Sequence, residues 1–145
     1  MIRPSGSPIV VLACKGLAII IQLFAIYVIF HGHYSPGGGF QGGALFAASI
    51  LLLRMSEGGK DSQQVFPSNW SIVVGSCGAL IYILIGFLAM IFGGVFLDYS
   101  FLPLASDPAN IRFIAILLIE VGVGIAVTAS LVSIFDDLSA GEIDD

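Results

Sequence analysis

A chain of 145 residues that is 57% hydrophobic and only 10% charged cannot cover a water-facing surface, since a soluble domain carries about 25% charged residues. The net charge is −5, much of it near the C-terminus, and there is no basic patch. Nucleic-acid binding is therefore excluded, and the composition points to an integral membrane protein of all-α class, one transmembrane domain over residues 1–145.

A bilayer core of about 30 Å takes about 20 helical residues, and four apolar runs are expected to cross it: 8–30, 40–55, 70–97 and 111–135. The first follows Arg3, and its segment 16–30 has the length of a signal-peptide core. No small-residue cleavage site follows, because the run ends in His31-Gly32-His33-Tyr34, so a retained helix is expected. Lys15 lies about 10 Å into this run. It either snorkels to the nearer interface or reaches an acidic group inside the membrane. Cys14 and Cys77 fall within apolar runs and read as small buried hydrophobes without zinc-ligand spacing.

Between the first two runs, residues 32–43 contain six glycines. Lipid tolerates irregular backbone only where protein or a water cavity covers it. The second run is short, about 24 Å at helical rise. A turn built from Pro36, Gly37, Gly38, Gly39, Phe40, Gly42 and Gly43 is therefore expected to dip into the membrane ahead of it. The helix start that follows would carry partial positive charge and free N–H groups below the surface, as the broken helices of transporters do at their ion sites. Gly39, Gly43 and Ala47 also form a small-residue stripe for close helix packing, as do Gly75 and Ala79. The Gly37, Gly39, Gly42 spacing matches a dinucleotide fingerprint in form only, since no strand precedes it. His31 and His33 read as interfacial groups that hydrogen-bond into the turn. A proton relay is the functional alternative, and metal binding is only weakly signalled.

Residues 54–69 form an aqueous loop, with Arg54 and Glu57 a solvated pair and Ser68 or Asn69 capping the third helix. In the second long connection, 98–110, Asp98 reads as solvated, and Asp107-Pro108 reads as a cap followed by proline at the first helical position. Tyr34, Trp70 and Tyr99 suit interfacial anchoring.

The fourth run holds Glu120, about 14 Å from its start and so near the bilayer midplane. Acidic residues at that depth face a bundle interior or an ion path. Gly124 and Thr128 continue its helix face. Glu120 is either a protonatable, cation-binding carboxylate or a group paired to a neighbour for packing. A Lys15–Glu120 pair would leave an axial gap of about 6 Å. The acidic tail 136–145 reads as a solvated end. Arg3, Arg54, Lys60 and the nearby Lys15 lie on one side of a four-helix alternation, with only Arg112 opposite. Both termini are accordingly expected in the cytoplasm.

The stretch His31-Gly32-His33-Tyr34-Ser35-Pro36-Gly37-Gly38-Gly39-Phe40-Gln41-Gly42-Gly43 strongly resembles the signature of the MnhB family, whose members are small subunits of Mrp-type multisubunit sodium/proton antiporters. The motif covers about a tenth of the chain, and the hydropathy pattern matches over nearly all of it. The resemblance implies a small accessory protein packed among other membrane subunits, without a redox centre. A related member occurs in membrane-bound hydrogenase and sulfur-reducing complexes. The antiporter pattern has asparagine at the position of Tyr34. The doubled histidine and the Phe40-Gln41-Gly42-Gly43 ending are more similar to the hydrogenase-associated branch.

The expectation is thus a transport subunit in the cell membrane, not an enzyme by itself, with no cofactor and no metal, that works with partner subunits on sodium and protons. Glu120, Lys15, His31, His33 and Thr128 are the candidates for ion translocation. The rival readings are a self-sufficient homodimeric small exporter and a purely structural component that seals an interface.

Overall fold

The computed structural model describes residues 7–32, 37–58, 67–102 and 107–141. Four helices make up the fold: α1 (Pro8–His31), α2 (Gly39–Glu57), α3 (Ser68–Ile91) and α4 (Pro108–Gly141). No strand occurs among the described residues. Each helix is long and apolar enough to cross a membrane, and the chain is a multi-pass membrane protein. His33, Tyr34, Ser35 and Pro36 of the glycine turn lie outside the described residues, as do Arg3 and Lys60.

The helices form a row, with α1 against α2, α2 against α4, and α4 against α3. Its interior is made mostly of small side chains: Ala18, Ala25, Ala47, Ala89, Ala115 and Ala129 are all buried. The large apolar side chains point outward, among them Leu12, Leu23, Phe24, Ile72 and Ile91. This inversion of the soluble pattern follows from the solvent. Lipid gives apolar side chains no reason to hide, so helices associate where small residues let backbones approach. At Gly78 a β-carbon would lie 2.5 Å from the Gly122 carbonyl, so α3 and α4 nearly touch through their main chains.

Several helix ends differ from the sequence expectation. The second helix has 19 residues, starting one residue before 40 and running past 55 through its polar end. It is still the shortest of the four. Pro8 and Pro108 open α1 and α4 at the first helical position, where proline loses no intrahelical bond. Pro67, rather than Ser68 or Asn69, occupies the cap position of α3.

The third helix ends at Ile91 instead of 97. The Gly94 N–H bonds the Ala89 carbonyl at 3.0 Å and the Gly93 N–H bonds the Met90 carbonyl at 3.1 Å, while Gly93 adopts φ 93°. These are the paired bonds and left-handed glycine of a Schellman end. The chain then folds back. Phe96 settles over Gly86, where a β-carbon would meet its ring, and stands edge-on to Tyr82 and Phe87. Asp98 is not merely solvated: its side chain accepts from the backbone and hydroxyl of Ser100, starting a short 3-10 turn, Tyr99–Phe101.

The fourth helix runs on to Gly141. Most of the expected acidic tail is therefore helical, and Asp136 belongs to the bundle.

Candidate functional site

Two elements converge on Glu120. It sits in the first half of α4, about 18 Å of helical rise from Pro108, and the two ends of the glycine turn close over it. A β-carbon at Gly32 would run into Glu120 Oε2, and one at Gly38 would lie 3.3 Å from Oε1. At Gly39 it would run into the main-chain carbonyl of Glu120 itself. The carboxylate thus occupies space that only glycine leaves open. Gly38 must be glycine for a second reason, its φ of 123°, which L side chains rarely adopt. Gly38 is also the N-cap of α2, so the positive end of that helix faces the carboxylate. Charge of that sign favours an anion at the helix start.

A continuous seam runs from this cradle between α2 and α4. Gly43 comes next, its would-be β-carbon 2.6 Å from the Gly124 carbonyl. Thr128 donates across the seam to the Gly43 carbonyl at 3.0 Å, and within its helix to the Gly124 carbonyl at 2.7 Å. Farther along, Ala47, Ile50 and Val132 form a buried apolar cluster. The seam ends in an ion pair, Arg54 to Asp136 at 3.0 Å, with side chains 1% and 10% exposed. An apolar cavity of about 240 Å³ opens beside the seam, lined in part by Ile29, Phe46, Val121, Gly124 and Thr128.

Three sequence expectations need correction. Lys15 does not approach Glu120; it pairs with Glu57 at 2.7 Å. Glu120 lies beside Gly32, which is about 26 Å along the helix from Lys15. Counting depth inward from opposite faces failed because the end of α1 meets α4 well inside the length of α4, so the two helices are offset along their axes. Arg54 and Glu57 do not pair with each other as a solvated couple. Arg54 is buried and turns to α4, while Glu57 turns to α1. Asp136 is a partner within the bundle, not a tail residue.

The remaining candidates are placed as follows. His31 ends α1 next to Gly32, but its ring folds back on α1. It stacks on Tyr27 at 4.1 Å between centroids, with Nδ1 3.1 Å from the Tyr27 carbonyl. Phe40 and Gln41 are exposed, whereas Gly42 and Gly43 are buried. At Gly42 a β-carbon would meet Ile29 of α1, so the first turn of α2 is wedged between α1 and α4. His33 and Pro36 lie outside the described residues. Cys14 and Cys77 are free thiols. The Arg54–Asp136 pair was missed, although a signal exists. Arg54 lies on the helical face of Gly39, Gly43 and Ala47, so the cation is aimed at the helix that packs on that stripe.

A family model described as "Domain related to MnhB subunit of Na+/H+ antiporter" matches residues 9–133. The chain belongs to the MnhB family. It is 38% identical over 89 residues to a Bacillus subtilis protein named as a subunit of a Na(+)/H(+) antiporter, a match spanning 61% of this chain and 62% of that protein. It is 30% identical over 131 residues to a protein named as antiporter subunit mnhB2 in Staphylococcus saprophyticus, spanning 88% of this chain and 90% of that one. A Staphylococcus aureus mnhB2 is likewise 30% identical over 128 residues. The matched region of this MnhB chain contains the glycine turn, Glu120 and Thr128.

Proposed function

We propose that this MnhB chain is a subunit of a multisubunit sodium/proton antiporter, and that Glu120 is its ion-linked group. Family membership and the names of its relatives support the first part. The observation that carries the second is the glycine cradle. Gly32 and Gly38 surrender their side-chain space to one carboxylate in a membrane-spanning helix, and Gly39 to the main chain that carries it. An acid so placed is costly in lipid and marks a functional position. A loop that merely joined two helices would not need to approach it.

In this reading Gly32, Gly38 and Gly39 lie below the membrane surface at the depth of Glu120. The carboxylate takes up and gives up a proton or a monovalent cation. The start of α2 steadies its charge, and Thr128 supplies a hydroxyl farther along the same face. Partner subunits complete the path. Both termini face the cytoplasm, since Lys15 and Arg54 cluster at the end of the bundle away from the turn.

The test is Glu120→Gln in the assembled complex, followed by sodium-dependent proton movement in everted membrane vesicles. Transport is expected to fall at least tenfold, about 1.4 kcal/mol in activation free energy, with assembly retained. Undiminished transport would remove Glu120 from the ion path and leave the structural, interface-sealing reading.

The Phe40-Gln41-Gly42-Gly43 ending favours one second reading, a place in the antiporter arm of a hydrogenase-like respiratory complex. Purification in mild detergent separates the two. Co-purifying iron–sulfur subunits would support the respiratory complex, and multispanning subunits alone would support a free-standing antiporter. Recovery of this chain by itself would favour a small homodimeric exporter.

A further inference from the structure

We propose that Arg54 and Asp136 form a register lock that seats Gly38 and Gly39 on Glu120. They are positioning residues for that carboxylate, and their relevance to transport rests on the function proposed above. The helices α2 and α4 meet along one seam. On α2 the facing residues are Gly39, Gly43 and Ala47, and on α4 they begin with Glu120 and Gly124. Small residues repeated every fourth position allow close approach, but they make neighbouring registers alike. A slip of one turn, about 5.4 Å, would bring Gly43 against Glu120, at the cost of moving Ala47 to where Gly43 meets the Gly124 carbonyl. That slip would carry Gly38 and its left-handed bend off the carboxylate.

Two further features oppose the slip. The Thr128 hydroxyl bonds Gly43 across the seam, but its one proton also serves Gly124. The second feature is the ion pair. Gly39 and Arg54 are about 22 Å apart along α2, and Glu120 and Asp136 about 24 Å apart along α4. The cradle and the pair therefore close together in one register. The Arg54 side chain is 1% exposed, so a slipped register would separate two charges where burial keeps water from solvating them. Removing one partner of a buried pair is strongly destabilising, because it leaves a buried charge uncompensated. The intact pair adds little net stability over an apolar one, and fixing register is the best-attested use of such groups. Asp137 neighbours Asp136 in sequence, and Glu57 is engaged by Lys15 on the opposite flank of α2. Arg54 is thus the cation that α2 directs to α4.

The experiment reads the position of the cradle directly, without relying on transport. Membranes holding the assembled complex are treated with dicyclohexylcarbodiimide, which reacts with protonated carboxyl groups in apolar surroundings. Labelling of Glu120 is then measured by mass spectrometry. Asp136→Asn is expected to raise the labelling rate several-fold, because Gly38 and Gly39 move away. The exchanged pair Arg54→Asp with Asp136→Arg is expected to return it to the wild-type rate. Unchanged labelling in Asp136→Asn would overturn the lock. So would an exchanged pair that assembles yet labels at the raised rate, since the individual groups and not their attraction would then matter. If Asp136→Asn fails to assemble, the exchanged pair decides alone. Assembly with wild-type labelling supports the lock, and failure to assemble overturns it. A silent Glu120→Gln in transport would refute the proposed ion role without altering any of these outcomes.

Discussion

Thr128 of α4 and Gly43 of α2 are joined by a hydrogen bond of 3.0 Å that crosses the seam between the two helices. The bond exists because Gly43 has no side chain, so its carbonyl comes within reach of a short hydroxyl. Interhelical bonds of this kind in membranes contribute about 0.6 kcal/mol on average. Thr128→Val keeps the shape and removes the hydroxyl. It is expected to lower the melting temperature of the purified complex slightly while leaving assembly intact, and Thr128→Ser to restore it. If Thr128 also serves the ion path, Thr128→Val slows vesicle transport by more than its small stability loss explains.

Gly39→Ala tests the cradle by close approach. The new methyl group would strike the Glu120 carbonyl, a backbone atom that cannot rotate aside, so α2 must retreat from α4. Overpacking of this kind costs about 1–3 kcal/mol. The expected result is sharply reduced complex on native gels. Gly16→Ala is the matched control. Nothing lies within 4 Å of its added carbon, and replacing glycine by alanine in a helix interior gains about 0.5–1 kcal/mol. It should assemble at least as well as the wild type.

The fold was largely legible in the sequence because its determinants are one-dimensional. Apolar runs, proline at helix starts and glycine after helix ends report on local backbone and on lipid. The end of α3 shows where that reading stops. Residues 92–97 are apolar enough to continue the helix, but Gly93 and Gly94 form a hydrogen-bonded stop, and the aromatic residues that follow fold back instead of advancing. The site was legible in its parts and not in its pairings. Glu120 and the glycine turn stand out separately as an intramembrane acid and a bare backbone. Their contact depends on how far α4 extends past the turn, which hydropathy does not encode. The same unencoded axial offset made a Lys15–Glu120 pair a candidate beside snorkelling and concealed Arg54–Asp136. Which of several charges meet is decided by the stagger of the helices, and a shift of one turn changes every partner.

Lys15→Met tests the corrected pairing. Lys15 is 54% exposed and bridges to Glu57, so the pair contributes at most about 1 kcal/mol. Near wild-type assembly is expected, and transport should be unchanged, since Lys15 is about 26 Å of helix away from Gly32 and the cradle. Transport lost in a fully assembled Lys15→Met complex would instead tie the Lys15–Glu57 end of the bundle to the ion path.

Gly93→Ala isolates a backbone effect from a packing effect. Nothing lies within 4 Å of the carbon it adds, yet its φ is 93°. The left-handed conformation costs an L-residue about 1–2 kcal/mol, so α3 would tend to continue past Ile91 and draw Phe96 away from Gly86. The expected consequences are a lower melting temperature and greater protease cleavage near the 3-10 turn at Tyr99. Gly93→Asn should be milder, because asparagine accepts the left-handed C-terminal position more readily. Equal effects from alanine and asparagine would show that the stop at Ile91 is set by the aromatic packing of Phe96 and not by the conformation of Gly93.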